Sequence, residues 1–181
     1  MATIKKDIRA LSKEELRVFF ESIGDQAFRG NQVYEWLWSK GAHTFEEMTN
    51  LSKETRAHLD AHFVINHIEV DSLQKSNDGT IKNAVKLHDG LIVESVLIPT
   101  ESRTTACVSS QVGCSLDCKF CATAKLKRMR NLNPDEIYDQ VVAIHKESLL
   151  YHDRPLSNIV FMGMGEPLMN YKNVLESIEK I

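Results

Sequence analysis

"CVSSQVGCSLDCKFC", residues 107–121, contains all four cysteines of a 181-residue chain. Three of them, Cys114, Cys118 and Cys121, are spaced C-x3-C-x2-C. Three thiolates on one tight loop can bind three corners of a cubic iron–sulfur cluster and leave the fourth iron open. A [4Fe–4S] cluster normally takes four cysteines, so a set of three points to chemistry at the open iron. Zinc competes, because three thiolates with His145 or His152 make a Cys3His site. Structural zinc sites more often use C-x2-C knuckles, however, and neither histidine lies at a fixed close spacing. Cys107, seven residues before Cys114, reads on its own as a buried strand cysteine acting as a small hydrophobe.

The stretches on either side of this loop set the fold class. "TTACVSS" predicts a strand leading into it. "NPDEIYDQVVAIHKESLL" opens with Asn133 and Pro134, a helix start, and carries Ile137, Val141 and Ile144 on one face. "SNIVFMG" is a short apolar run without strong alternation, as expected of a buried parallel strand. The loop "GMGEP" (163–167) and a helix from about Asn170 complete the pattern. Strand, loop, helix, repeated, predicts βα units on a parallel sheet. Two such units cannot close a barrel, and the last helix runs to Ile181 without a stop signal. The expectation is a chain that ends inside a larger domain.

Upstream the texture differs. Residues 1 to about 62 predict helices. Ser12 and Glu15 match a capping box ahead of Leu16, Phe19, Phe20 and Ile23. "NQVYEWLWSKG" places Val33, Trp36 and Leu37 on one face, with Trp38 off it. Thr44 and Glu47 suggest a second capping box, and Ser52 starts another helix. From Val64 to Pro99, extended stretches are separated by the turn signals "NDG" (77–79) and "HDG" (88–90), which predicts a small antiparallel sheet. The expected organisation is therefore α/β in three parts: a helical domain over 1–62, a small sheet over 63–99, and the first part of an incomplete barrel over 100–181.

Composition excludes some classes. The chain is 43% apolar and 26% charged, an ordinary globular balance. Its net charge of −3 gives no global field for nucleic acid, so RNA binding needs a local patch. One such patch is "KLKRMR" (125–130), with four positive charges beside the cysteine loop, although such a run alone reads as a solvated segment. "MATIKKDIRA" lacks an apolar signal core, and no run approaches the roughly 18 apolar residues of a membrane span. The expected location is the cytoplasm, where clustered cysteines more often bind metal or catalyse than form disulfides.

These motifs resemble a known family. A C-x3-C-aromatic-C loop, with Phe120 before Cys121, and a later Gly-Glu-Pro are similar to the radical S-adenosylmethionine (SAM) superfamily, whose fold is a partial (β/α) barrel. "ESVLIP", "CVSSQVGCSLDCKFCATA", "RNL", "VFMGMGEPLMNY" and "FRGNQVYEWLW…FEEMTNLSKETR" resemble the RlmN-type adenine C2-methyltransferases. The resemblance implies a [4Fe–4S] cluster on Cys114, Cys118 and Cys121. It implies SAM at the open iron, with Gly165 and Glu166 on its amino group. It implies Cys107 as the thiol that resolves a protein–RNA adduct through a disulfide, and Glu94 as the base that takes the C2 proton. Glu94 alone reads as a solvent-facing strand residue; partial burial would suit it as a base. The implied partners are 23S rRNA, tRNA and an electron donor such as flavodoxin, with Arg29, Trp36 and Trp38 in an accessory RNA-binding domain. The family's second, methyl-carrying cysteine has no counterpart here, since no cysteine follows Cys121. The chain is thus expected to be inactive alone. The alternatives are the C8-specific relative of this family and a non-enzymatic, metal-stabilised RNA-binding module.

Overall fold

A computed structural model describes residues 5–181; the first four residues of the expected helical segment lie outside the described residues. The chain divides after Asn66 into two compact units. Among the described residues, no helix is long and apolar enough to cross a membrane.

The first unit contains β1 (Lys6–Asp7), α1 (Lys13–Ser22), α2 (Phe28–Trp38), α3 (Lys53–His62) and β2 (Phe63–Val64), with β1 and β2 paired in parallel. The Ser12 capping box forms as expected: the Glu15 amide donates to Ser12 Oγ (3.2 Å), and the Ser12 amide donates to Glu15 Oε2 (2.7 Å). Each bond satisfies a donor that the first helical turn would leave orphaned. The Thr44–Glu47 box also forms, but it caps only a 3-10 turn over Phe45–Glu47. Of the two tryptophans, the one off the Val33/Leu37 face packs the more deeply. Trp38 is buried, with the Arg9 guanidinium 5.6 Å from its ring centroid. Trp36 is half-buried and donates from Nε1 to Asn50 Oδ1. The α2 pattern describes one apolar face, whereas the chain around Arg9 covers a second.

The second unit is built on a five-stranded sheet of order β3-β4-β5-β6-β9. Its strands are β3 (Glu69–Lys75), β4 (Ile81–Lys86), β5 (Ile92–Pro99), β6 (Thr104–Cys107) and β9 (Asn158–Val160). Pairing is antiparallel from β3 to β6 and parallel between β6 and β9. Helix α4 (Pro134–His152) covers one face: Ile137, Val141 and Ile144 pack into a core with Ile81, Val85, Val93, Leu97 and Ala106. Helix α5 (Tyr171–Lys180) adds Val174 to that core. A separate two-stranded stem, β7 (Gln111–Val112) against β8 (Arg130–Asn131), carries the cysteine loop.

Two expectations change here. The antiparallel strands of 63–99 and the parallel strand pair share one sheet instead of forming separate bodies, because β5 gives its second hydrogen-bonding edge to β6. Turn signals mark hairpins, but nothing local in β5 announces that partner. Strand β9, the last strand within this chain, is half-buried. The α/β class itself stands, with N-terminal helices, an antiparallel sheet and the first βα units.

Candidate functional site

The cysteine loop leaves its stem through Gly113, at φ +72, a conformation that L side chains rarely adopt. A Cβ there would collide with the Lys127 carbonyl, so the two sides of the loop run closer than any side chain permits. Beyond it, the Cys114 amide donates to Leu126 O (3.4 Å), and the Cys121 amide to Cys118 O (3.0 Å). Cys114, Cys118 and Cys121 are each half-buried. Amide groups of the loop already address two of the sulfurs. Leu116 N–H donates to Cys114 Sγ (3.4 Å), and the amides of Ala124 and Thr123 hold the Cys121 thiol below its usual range. Hydrogen bonds to the charged form favour thiolate, the form that binds metal. Phe120 projects from the loop, 94% exposed.

Among the described residues, no three His, Cys, Asp or Glu side chains stand close enough together to hold a metal ion as they are. What fits a cluster is the donor chemistry: three thiols on one loop, amides aimed at two of the sulfurs, and the intervening Asp117 tied to Lys119. The histidines of a Cys3His zinc site are engaged elsewhere. His152 Nε2 meets Gly79 O at 3.1 Å, and His145 Nδ1 accepts from the Leu156 amide at 3.5 Å.

An ion-pair network fixes the stem. Arg130 donates from Nη1 and Nη2 to the two Glu136 oxygens (2.7 and 2.8 Å) and from Nε to Asp89 Oδ2 (2.7 Å). The bond to Glu136 is the chief reason that the Arg130 pKa is raised further still. His88 Nδ1 lies 3.3 Å from Glu136 Oε1. Glu136 Oε2 also accepts from the Asn133 amide, so one carboxylate serves the arginine and the α4 capping box together. "KLKRMR" is therefore not uniform: Arg130 is an anchor, whereas Lys125, Lys127 and Arg128 are exposed.

The Gly165–Glu166 turn follows β9. Gly165 has φ +93, and a Cβ there would lie 2.5 Å from Gln111 Cβ. The amides of Ser110 and Gln111 both donate to Met164 O (2.9 and 3.2 Å). The Glu166 amide donates to Gln111 Oε1 (2.9 Å), while its carboxylate accepts from the Leu168 amide (3.1 Å) and caps a 3-10 turn. Gln111, Asn131, Asn170 and the Arg130–Glu136 pair were not singled out in the sequence. Polar side chains directly after a strand and at a helix start are the only local signal of such work.

Cys107 and Glu94 occupy the sheet face opposite α4. Cys107 pairs with Val96 in register, and Glu94 lies two residues from Val96 on the same side of β5. Cys107 is 8% exposed, and burial pushes its thiol upward against an opposing bond from the Met162 amide. Glu94, in contrast, has a side chain 52% exposed and accepts from Lys82 Nζ at 3.0 Å. The structure thus gives the carboxylate an ion-pair partner where partial burial was considered. Cys107, the cysteine loop and the Gly165–Glu166 turn all follow the carboxyl ends of β6 and β9, where ligands bind in sheets of this kind.

Comparison with known proteins agrees with this layout. Residues 6–65 match the ribosomal RNA large subunit methyltransferase N-terminal domain, and residues 108–181 match the radical SAM superfamily. Over 98% of its length, the chain is 76% identical to a Flavobacterium johnsoniae protein named "Probable dual-specificity RNA methyltransferase RlmN", of which it covers 51%. It is 45% identical over 96% of its length to the "Dual-specificity RNA methyltransferase RlmN" of Geobacter sulfurreducens, of which it covers 46%. A crystal structure of a radical SAM methyltransferase from Sphaerobacter thermophilus superposes with a TM-score of 0.81 at 35% identity, over 96% of this chain and 51% of that one. The chain spans about half the length of the curated relatives that it matches.

Proposed function

We propose that this chain, which matches the RlmN N-terminal and radical SAM family models and RlmN relatives over nearly all of its length, carries the cluster-binding part of an enzyme that methylates C2 of adenosine in 23S rRNA and tRNA. The supporting observation is a loop of three half-buried thiols whose stem is hydrogen-bonded to the Gly165–Glu166 turn. Cys114, Cys118 and Cys121 hold a [4Fe–4S] cluster, and Gly165 and Glu166 receive the amino group of SAM. When bound, the pair supplies one-electron chemistry, which adenine C2 requires because its hydrogen is not acidic.

The remaining roles fall to this chain's own side chains. The amides of Ala124 and Thr123 favour the ligating form of Cys121, and the Leu116 amide meets the Cys114 sulfur at 3.4 Å. Glu94 takes the proton from the substrate carbon, with the Lys82 ammonium 3.0 Å from its carboxylate. Cys107 is held as a thiol by burial until substrate arrives. As thiolate it then attacks a second sulfur, forming an S–S bond as that sulfur's bond to the bridging methylene breaks; the electron pair leaves with the carbon, which takes up a proton to become the methyl group. That second sulfur is not among this chain's cysteines if the other three hold the cluster. The N-terminal helices contact the RNA, and the target adenosine leaves its stack to reach the loop. A flavodoxin-type donor supplies the electron, and the reaction belongs in the cytoplasm, where its RNA substrates are.

A chimera tests this. The chain replaces the matching half of the Flavobacterium johnsoniae relative in cells that lack their own adenine C2 activity. The expected product is 2-methyladenosine in 23S rRNA and tRNA, read by mass spectrometry of digested RNA. 8-Methyladenosine, or unmodified RNA from a chimera that folds and carries its cluster, would overturn the assignment.

A further inference from the structure

Gln111 is the first residue of the stem that carries the cysteines, and it is completely buried. Both ends of its amide are committed. Oε1 accepts from the Glu166 amide (2.9 Å), and Nε2 donates to Asn131 Oδ1 (2.7 Å) on the opposite strand of the stem. Its backbone amide reaches Met164 O (3.2 Å), and its Cβ occupies the place that a side chain on Gly165 would need. Asn131 extends the link by donating to Met169 O (3.3 Å). Asn170, buried after the turn, returns it by donating to Ser110 O and Leu132 O (2.8 Å each). Side-chain amides therefore join the stem to Glu166 and the turn after it, while backbone amides tie the stem to Met164 on the other side. A buried amide with fixed donors on one side and fixed acceptors on the other admits one orientation, because a flip would place two acceptors or two donors face to face.

We propose that Gln111 is a positioning residue that sets the Gly165–Glu166 turn relative to the cysteine loop, and thereby the affinity of the site for the amino-acid end of SAM. This rests on the function proposed above. SAM would be held at two places at once, by the cluster and by the turn. Their separation is then a property of the scaffold, and the Gln111 side chain spans it. A shift of about 1 Å between two such groups is enough to lose much of a bidentate ligand's binding.

Two variants and two measurements test this. Gln111→Met keeps the length and removes both hydrogen bonds. Gln111→Glu keeps the acceptor for the Glu166 amide and, as the neutral acid that so buried a place favours, a donor for Asn131 Oδ1. In the chain without cofactors, hydrogen exchange at the Glu166 amide should accelerate at least tenfold in Gln111→Met and stay near wild type in Gln111→Glu, with the amides that bond to Met164 O unchanged. In the anaerobically reconstituted chain, iron content and the reduced cluster's EPR signal should match wild type in both variants. SAM affinity, read from the change in that signal, should fall tenfold or more in Gln111→Met and stay within threefold in Gln111→Glu. Unchanged exchange at Glu166, unchanged SAM affinity, or loss of the cluster itself in Gln111→Met would each overturn the positioning role. If the wild-type chain takes up a cluster and ignores SAM, the proposed function fails, while the exchange measurement still judges the contact.

Discussion

Cys121 and Cys107 lie fourteen residues apart and are driven in opposite directions. Amides of the loop lower the pKa of the first thiol, and burial raises that of the second. Since the thiolate is the nucleophile, the cofactor-free chain at pH 7.5 should alkylate with iodoacetamide at Cys121 well before Cys107, by peptide mass spectrometry. Equal rates, or Cys107 first, would contradict the assigned environments. Glu147 offers a second test at this scale. It is buried between α4 and β4, and burial pushes its carboxyl up, offset in part by the Asn83 amide (2.8 Å) and by Lys75. A carboxyl raised by folding binds its proton more tightly in the folded state. Its stabilising contribution is therefore complete below the unfolded pKa of about 4.3 and is lost as pH rises through the folded value. Glu147→Gln, neutral throughout, should match wild type near pH 4 and become relatively more stable by pH 7 in urea titrations. A difference independent of pH, or of opposite sign, would refute this.

Among the elements, those written in short-range code were legible. Ser12 and Glu15, Ser52, and Asn133 with Pro134 each open the helix that they predict. Both turn signals mark real hairpins. What sequence could not supply was partnership over distance. Nothing near Thr44 shows that its box caps a single turn. Arg130 is the clearest case, a residue inside a basic run that ties the β4–β5 turn, β8 and the start of α4 through Asp89 and Glu136. With the Glu136 side chain only 3% exposed, removing the guanidinium leaves a nearly buried carboxylate with weak compensation. Arg130→Met should therefore cost about 3 kcal/mol in urea unfolding at pH 7. A cost under about 0.5 kcal/mol, the usual scale of an exposed pair, would show that the network is ornamental.

For the molecule as a whole, the α/β class was legible, and the candidate site was legible as a spacing. Its proposed ligands sit in one contiguous loop, and Gly165–Glu166 is equally local. The sheet that carries them depends on β5 pairing with β6 and on β6 pairing with β9 across 53 residues, as in Thr105 opposite Asn158. The residues that register loop against turn, Gln111 above all, emerge only once those strands are side by side. Glu94 shows the same limit: its strand was evident, but its ion pair with Lys82 depends on a neighbouring strand. The central claim is that three thiols of one loop hold a cluster with an iron left open to SAM. The most direct measurement is anaerobic reconstitution of the chain with iron and sulfide, followed by metal analysis and EPR of the reduced protein with and without SAM. The account predicts about four irons and four sulfides per chain, lost in Cys118→Ala, with a signal that SAM alters. A colourless protein that assembles no cluster and instead holds a single tight zinc ion would contradict it.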